Sequence, residues 1–351
     1  MEPPHYLGTA PLYPLSQYVR ELRAGLPREA FEPARSRALL IPLHLGLVTA
    51  ETLVIARGWV PWFVVPLISL AIGISFACLT FVAHEALHGG IARGKRAKHA
   101  IGWLGFLPFV LSPRLWVAWH DRVHHANANL PDDPDMYPTL ERYRAHQQIR
   151  LFVDWFSLGC RRWRGGLSLV LGFTVQSLHQ LIAATSSGFL AARDRRLAMV
   201  ETALAIGVWA VLAALVGFVP FLFVFVLPLV VANIIVMAFI LTNHSLSPLV
   251  PINDPLISGL SVTSSPIVER LTLRFGYHVE HHLFPAMSSR HADKVRDLLR
   301  VHWPERYQSM PLTHAIRELH RTARVYKDAT TLIDPRTGAE FSTLLPATTA
   351  A

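Results

Sequence analysis

The chain has 351 residues, of which 52% are hydrophobic and only 16% are charged, and its mean hydropathy is +0.33. A soluble domain of this length carries more charge, so the surplus of apolar residues predicts a multi-pass protein of the lipid bilayer. The net charge of +9 is not gathered in a Lys/Arg run interleaved with aromatic residues, which argues against nucleic-acid binding and favours attraction to anionic lipid headgroups.

The N-terminal residues and the cysteines indicate the compartment. Residues 1–37 are proline-rich and polar, and they lack the short apolar core and cleavage site of a secretory signal peptide. The two cysteines, Cys78 and Cys160, are too few for a disulfide framework, and Cys78 lies within an apolar run. We therefore expect residues 1–37 to form a cytosolic N-terminal segment in a protein that faces a reducing compartment.

Four apolar stretches predict an all-α membrane protein with four spanning helices in two hairpins. Only Arg57 and Gly58 separate the first pair, and the run Ala203–Thr242 contains 40 residues without one charged side chain. Gly217 and Pro220 divide this run into two lengths of about 20 residues, each sufficient to cross the ~30 Å hydrocarbon layer as a helix. The predicted spans cover residues 38–56, 59–83, 198–217 and 220–242.

The segment between the hairpins, residues 84–202, is rich in Lys and Arg and includes the cluster Arg161, Arg162 and Arg164. The positive-inside rule places this segment in the cytosol and both termini on the same side. Two further apolar stretches, Ile101–Trp119 and Leu167–Ala192, are interrupted by proline, arginine, glutamine or histidine. We predict that both lie along the interface or dip into it, because a single extra crossing would place the chain's histidine groups on opposite faces.

The residues after the second hairpin predict a soluble region packed under the membrane. We assign residues 38–300 to the membrane domain and residues 301–351 to a cytosolic C-terminal tail. Ser289 is placed to cap a helix over Arg290–Arg300, which has one apolar face. From Lys327 onward the sequence is rich in Thr and Ala without a pattern, so we expect partial disorder in the tail.

Nine of the 18 histidines form four groups at the ends of predicted spans or in polar segments. The groups are His84 and His88; His120, His124 and His125; His244; and His278, His281 and His282. They are either ordinary polar residues at helix ends or ligands of a shared metal site. Two doublet patterns and an HxxxH pattern on one predicted membrane face favour the metal site.

Ligand chemistry predicts two metals at these histidines. Imidazole is the usual nitrogen ligand for iron, zinc and copper, and nine imidazoles are too many for one four-coordinate zinc. His84 and His88 would lie one above the other on a helix, with Cβ atoms ~6 Å apart. Adjacent helical residues point about 100° apart, so one histidine of each doublet can face one metal while its neighbour faces the second.

Three motifs resemble the histidine boxes of the membrane fatty acid desaturase superfamily. They read HEALH at 84–88, HDRVHH at 120–125 and HVEHH at 278–282, and the strings PDDPDMYP and HHLFPAMS are also similar to that family. The resemblance covers roughly residues 40–300. It implies four membrane helices, a cytosolic helical cap, two iron ions held by these histidines, and an O₂-dependent reaction on a long acyl chain.

The resemblance extends to His244, which matches an additional ligand before the third box. Some animal members carry an asparagine four residues before that ligand, whereas this chain has Ile240 there and Asn243 as the nearest amide. Carboxylates usually hold the other ring nitrogen of a ligating histidine. The candidates for this role are Glu85, Asp121, Asp132, Asp135 and Glu280.

The predicted reaction is the removal of two hydrogens from a fatty acyl chain to give a cis alkene and water. A methylene C–H bond offers neither an acidic proton nor a leaving group, so breaking it requires an oxidant made from O₂ and two electrons at a metal. We expect the electrons to come from a separate protein of the ferredoxin, rubredoxin or cytochrome b5 type. The basic clusters Arg161–Arg164 and Arg193–Arg196 either dock that partner or contact lipid headgroups.

Three alternative functions remain open on the sequence. A membrane hydroxylase or ketolase of an alkane, sterol or carotenoid would use the same histidines. Residues 84–88 also satisfy HExxH, so an intramembrane zinc protease would use Glu85 as its base and Asp254 as a third ligand, but it leaves seven clustered histidines unexplained. A lipid-binding scaffold without catalysis is the third alternative.

Overall fold

The computed structural model of the chain describes residues 5–8, 10–184 and 188–345, and this part of the chain is mostly helical. The α-helices are α1 (Leu15–Arg23), α2 (Leu40–Ala56), α3 (Val65–His88), α4 (Lys95–Phe106), α5 (Pro113–Trp116), α6 (His125–Asn127), α7 (Leu140–Ala145), α8 (Gln147–Phe156), α9 (Gly166–Ala183), α10 (Ala192–Val216), α11 (Phe218–Phe221), α12 (Leu227–His244), α13 (Pro255–Ser258), α14 (Pro266–Leu271), α15 (His278–Leu283), α16 (Ala292–His302) and α17 (Leu312–Arg321). A π-helix, Val117–His124, joins α5 to α6, and a second, Leu222–Val226, joins α11 to α12.

The strands are short and form small sheets outside the helical bundle. They are β1 (His5–Leu7), β2 (Ala10–Leu12), β3 (Ser261–Thr263), β4 (Ser309–Pro311), β5 (Val325–Tyr326), β6 (Thr331–Ile333) and β7 (Glu340–Ser342). β1 pairs with β2 and β5–β6–β7 form a three-stranded sheet, all antiparallel, whereas β3 and β4 are parallel.

Five helices among the described residues are long and apolar enough to cross a membrane, one more than the four predicted. They are Arg28–Ala56, Val65–His88, Trp163–Ala183, Ala192–Val216 and Phe218–His244. The additional one contains α9 and lies in the stretch Leu167–Ala192 that the sequence assigned to the interface; residues 185–187 of that stretch are outside the described residues. The α9 part contains no Asp, Glu, Lys or Arg, so length and composition alone admit a crossing.

α3 is the central helix of the bundle, and it packs against α12 at very short range. A Cβ atom added to Gly73 would lie 2.5 Å from Cβ of Val231 and 2.8 Å from the carbonyl oxygen of Pro228, so only glycine permits this approach. α3 ends at Gly89, whose φ of +104° is in the left-handed region that favours glycine. The last turn of α3 therefore lies beside the last turns of α12, at the polar end of both helices.

The stretch Ile101–Trp119 does not form one straight helix. The helical segments Lys95–Phe109 and Pro113–Asn127 meet at an angle of 102°. Ser112 caps α5 by accepting a hydrogen bond from the backbone N–H of Arg114, and both side chains donate to the carboxylate of Glu201 on α10, at 2.6 and 2.7 Å. The bend is thus fastened to α10, and it turns the second histidine motif toward the ends of α3 and α12.

A helical cap covers the polar ends of α3 and α12. Its core joins the N-terminal helix α1 to α15 and α16 through buried residues that include Tyr18, Leu22, Val279, Leu283 and Val295. Asp254, fully buried, accepts hydrogen bonds from Tyr18 Oη at 3.0 Å and from the guanidinium of Arg306 at 2.7 Å. Hydrophobic burial and this buried ion pair hold the N-terminal segment onto the third histidine motif.

In the C-terminal tail, where the sequence predicts partial disorder from Lys327 onward, the structure has strands β6 and β7 and is described through residue 345; residues 346–351 lie outside the described residues. Tyr326 and Leu332 are buried in the sheet, and the carboxylate of Asp334 accepts a hydrogen bond from Arg336 N in the turn before Gly338, whose φ is +76°. Strands of two or three residues are too short to show an alternating pattern, although Asp334-Pro-Arg-Thr-Gly338 is a turn sequence.

Candidate metal centre

The first histidine motif lies on the last turn of α3. His84 and His88 are both buried, and their ring centroids are 4.8 Å apart. The i, i+4 spacing places both rings on the same face, as the sequence indicates. The ring of Trp116 packs against both, with centroids 5.2 and 4.9 Å away. The first motif therefore presents two neighbouring imidazoles that pack against one aromatic side chain.

The second histidine motif is carried by the π-helix rather than by a regular α-helix. His120 and His124 stack with centroids 5.0 Å apart and ring planes 22° from parallel, whereas the rings of His124 and His125 are inclined by 84°. A π-helix has a wider turn than an α-helix and is frequent at functional sites. The wider turn directs this motif toward both the first and the third motifs.

The third motif lies on α15, and His244 lies at the last position of α12. The Nε2 atom of His244 is 2.6 Å from Nε2 of His278 and 3.2 Å from Nε2 of His282. His281 points the other way, and its ring is 4.7 Å from that of His84 and 4.6 Å from that of His88. The adjacent histidines 281 and 282 thus face different partners.

The nine histidines come together as two four-histidine groups with one histidine between them. In each group one ring nitrogen per residue lies within 4.8 Å of the others. The first group is His84, His88, His120 and His281, and the second group is His124, His244, His278 and His282. His125 lies between the groups: its Nε2 is 3.2 Å from that of His281, and its ring stacks on His282 with centroids 4.2 Å apart.

The chemistry of these donors fits a pair of metal ions. In the described part of the chain, the buried Nε2 atoms of His84, His88 and His120 have no hydrogen-bond partner. Burial holds the pKa values of His278, His281 and His282 well below the usual range, which keeps these rings neutral and able to donate a lone pair. Clustered neutral imidazoles suit iron, zinc, copper or nickel rather than calcium or magnesium.

Acceptors fix the other ring nitrogen of at least one histidine in each four-histidine group. Nδ1 of His88 is 2.8 Å from Oδ1 of Asp121, and Nδ1 of His244 is 2.7 Å from the carbonyl oxygen of Ser258. Nδ1 of His124 is 2.9 Å from Oδ1 of the buried Asp133. A ring whose Nδ1–H donates in this way presents Nε2 as the ligand atom, with its tautomer and orientation set.

The predicted carboxylates divide into those that reach a histidine and those that do not. Asp121 contacts His88, and Asp135 lies 3.6 Å from Nδ1 of His124 while accepting from Trp119 and Gln176. Asp132 is exposed on the loop, and its neighbour Asp133, which the sequence analysis did not select, is the residue that holds His124. Asp133 is buried whereas Asp132 is exposed, and this difference decides which of the two aspartates reaches the imidazole.

Glu85 and Glu280 have partners other than histidine, and Asn243 is not seen to hold an imidazole. Glu85 accepts hydrogen bonds from Ser288 Oγ at 2.6 Å and Ser289 N at 3.1 Å, and it pairs with Arg37. The side chain of Glu280 accepts from Ser261 and Tyr307, both at 2.5 Å. The buried side-chain oxygen of Asn243 has no partner in the part of the chain that the structure describes. Glu85 and Glu280 therefore tie the first and third motifs to the cap instead of orienting an imidazole.

The geometry does not favour the protease alternative. The carboxylate of Glu85 is used in binding Arg37 and the turn at Ser288 and Ser289, which leaves no base directed at a metal-bound water. Asp254, the supposed third ligand, is held by Arg306 and Tyr18. An HExxH zinc protease requires both a free general base and a third metal ligand, and neither Glu85 nor Asp254 is free to act in these roles.

A small cavity of about 30 Å³ adjoins the first four-histidine group. It is lined by Phe81, His84, Phe275 and His281, among others. The centroid of the Phe275 ring is 4.9 Å from that of His84. The group therefore borders a small space that is lined in part by aromatic side chains.

The histidine motifs and their arrangement agree with a comparison of the chain with known protein families. The family model described as fatty acid desaturase matches residues 58–313, which include all nine clustered histidines. No curated protein gave a match. The resemblance seen in the motifs is confirmed over more than half of the sequence, and the chain belongs to the fatty acid desaturase family.

Proposed function

We propose that this chain is an O₂-dependent di-iron desaturase that introduces a double bond into a long fatty acyl chain. The observation that carries the proposal is the pair of adjacent four-histidine groups, with His125 between them. Membership of the family supports an oxidoreductase of membrane lipids. Two iron ions bound there would activate O₂ and supply the oxidising power that a methylene C–H bond requires.

The protein's own residues would bind, orient and shield that pair. His84, His88, His120 and His281 would hold one iron, and His124, His244, His278 and His282 the other, with His125 available to either. Asp121, Asp133 and the carbonyl of Ser258 would keep the ligating nitrogens directed inward. Trp116 and Phe275 would exclude water from the first group and so protect a reactive acyl intermediate from side reactions.

The site also supports a membrane topology with four spans. His88 and His244 end α3 and α12, and both contact α15, His88 through His281 and His244 through His278, which supports placing both helix ends on one face. An even number of crossings must then separate them, and α10 and the α11–α12 helix supply two. In the proposed topology neither α9 nor the bent pair Lys95–Phe109 and Pro113–Asn127 crosses the membrane. Each enters and leaves on the same side. By the positive-inside rule, the basic residues that flank α9 support the proposal that this face and both termini are cytosolic.

The proposed electron donor is a separate protein of the ferredoxin, rubredoxin or cytochrome b5 type. The cluster Arg161–Arg164 is a weaker candidate for its docking surface than the sequence suggests. Arg162 pairs with Asp334 at 2.6 Å and Asp154 at 3.5 Å, and Arg164 stacks over Trp155 at 4.3 Å. Arg164 beside the exposed Trp155 and Trp163 suits the membrane interface better.

The proposal is tested by mass spectrometry of total fatty acids from cells that express the chain. Wild-type protein should produce species that lack two hydrogens, and His281→Ala should abolish them. His314→Ala is the matched control, because His314 is exposed on α17 and lies outside both four-histidine groups. Species that gain one oxygen instead would establish a hydroxylase, and product formation by His281→Ala equal to wild type would refute the metal assignment.

A further inference from the structure

Arg324, in the C-terminal segment beyond the region that the family model matches, is a buried guanidinium. Its exposed fraction is 2%, and it forms no ion pair with the carboxylates that the structure describes. It donates instead to the backbone carbonyl of Ser245, to Leu319 O at 3.4 Å and to the hydroxyl of Thr322. Burying a charge is costly unless its contacts compensate, so these contacts indicate a specific role.

The contact with Ser245 places the guanidinium at the C-terminal end of α12. Ser245 directly follows His244, the last residue of that helix. The final carbonyls of a helix have no partner within the helix, and a cation there is favourable because the helix dipole is negative at that end. Arg324 therefore caps the helix whose last side chain belongs to the second four-histidine group.

The same C-terminal segment fastens the turn that follows His244 along its length. The bonds are Leu249 N to Ala329 O at 2.8 Å, Leu344 N to Leu246 O at 2.8 Å, and Tyr326 Oη to Ser247 O at 2.7 Å. Main-chain bonds at both ends and a buried hydroxyl between them leave the turn little freedom. Residues far away in sequence, in the C-terminal segment, thus hold the turn that follows His244 and so position this histidine.

The segment also connects to the support of His124, another member of the second group. Asn129 donates to the carbonyls of His244 and Pro248, both at 3.1 Å, and its backbone N–H donates to Asp133 at 2.8 Å. Tyr326 N donates to Pro138 O at 3.0 Å, on the loop that carries Asp133. Two ligands of the second group therefore share one scaffold, whereas the first group lies on the opposite side of His125.

We propose that the C-terminal segment, residues 322–345, is a clamp that positions His244 through Arg324 and so maintains one of the two metal sites selectively. The inference rests on the proposed two-metal centre. Arg324 is a positioning residue, because it acts on the ligand helix and does not contact the metal. Its loss should release the metal of the second group and leave that of the first in place.

The test measures iron bound per chain in purified, detergent-solubilised protein during competition with a graded chelator. Wild-type protein should hold two irons. Arg324→Leu should lose one of them at a chelator concentration about 10- to 100-fold lower than wild type requires. Arg324→Lys keeps the charge and a donor and should partly restore the weakened site. Arg321→Leu is the matched control, since Arg321 on α17 is 53% exposed and pairs with Glu318 at the surface.

Circular dichroism and size-exclusion chromatography separate positioning from folding. If Arg324→Leu fails to fold, Tyr326→Phe, which removes one hydroxyl and keeps the ring, should weaken the same site by a few-fold. Equal loss of both irons in folded Tyr326→Phe, or retention of both at wild-type affinity in folded Arg324→Leu, would overturn the clamp. Failure of the unmutated protein to bind two metals would instead overturn the proposed centre itself.

Discussion

Replacing Gly73 by alanine tests whether the close approach of α3 and α12 sets the geometry of the centre. The new Cβ would lie 2.5 Å from Cβ of Val231, against about 3.5–4.0 Å for an unstrained carbon pair, so the helices must separate by roughly 1 Å at this level. Alanine gains up to ~1 kcal/mol in helix propensity, and overpacking costs about 1–3 kcal/mol. The packing cost therefore prevails.

Gly46→Ala is the matched control for Gly73→Ala. Gly46 lies on α2, and a Cβ atom there would meet nothing within 4 Å, so it gains the same helix propensity without the clash. The difference in unfolding free energy between the variants isolates the packing cost of about 1–3 kcal/mol. In thermal unfolding in the same detergent, Gly73→Ala should have a lower melting temperature than Gly46→Ala.

The same variant should also lose product. His84 lies eleven residues beyond Gly73, about 16 Å along α3, and His244 ends the partner helix. Since a 1 Å misplacement can cost about 100-fold in rate, we expect a loss of up to that size although no histidine is altered. Equal melting temperatures and equal product yields for Gly73→Ala and Gly46→Ala would refute the reasoning.

Two further substitutions act closer to the histidines. Asp133→Asn should weaken iron binding by about 10- to 100-fold. An amide has one acceptor oxygen, whereas both carboxylate oxygens of Asp133 accept, Oδ1 from His124 and Asp135 N and Oδ2 from Asn129 N. Chelator competition measures the affinity, and an unchanged value would contradict this role. Glu85→Gln should lower the free energy of unfolding by about 1–3 kcal/mol through loss of the buried pair with Arg37, while product still forms; complete loss of product by the folded variant would contradict a purely structural role for Glu85.

The sequence was sufficient for the features that depend on local composition and spacing. Helices occupy residues 40–56, 65–88, 192–216 and 218–244, where apolar runs predicted spans at 38–56, 59–83, 198–217 and 220–242. The nine histidines were selected from their spacing and their position beside these runs. Both signals are local, because a bilayer requires continuous apolar length and a helix brings residues i and i+4 together.

Features that depend on tertiary contacts were not accessible from the sequence. Asp132 and Asp133 are adjacent and chemically identical, and only the fold of the loop decides that Asp133 reaches His124. The π-helical turn at 117–124 has no composition that separates it from an α-helix. The C-terminal sheet is stabilised by pairing with residues 246–249, far away in the chain, so its short strands carry little signal of their own.

The role of Glu85 shows how a motif can mislead. HExxH matches a protease sequence, but the glutamate binds Arg37 from the N-terminal segment and the turn after the third motif. These partners are 48 and 203 residues away in sequence. A short pattern fixes which residues share a helix face but not what packs against the opposite face.

Elemental analysis of the purified wild-type chain, reconstituted with ferrous iron without oxygen, shows whether the two four-histidine groups hold two irons. We expect two irons per chain, with His281→Ala and His278→Ala each retaining about one, since each removes one ligand of a different group. A single zinc per chain, or iron binding that is insensitive to both substitutions, would contradict it.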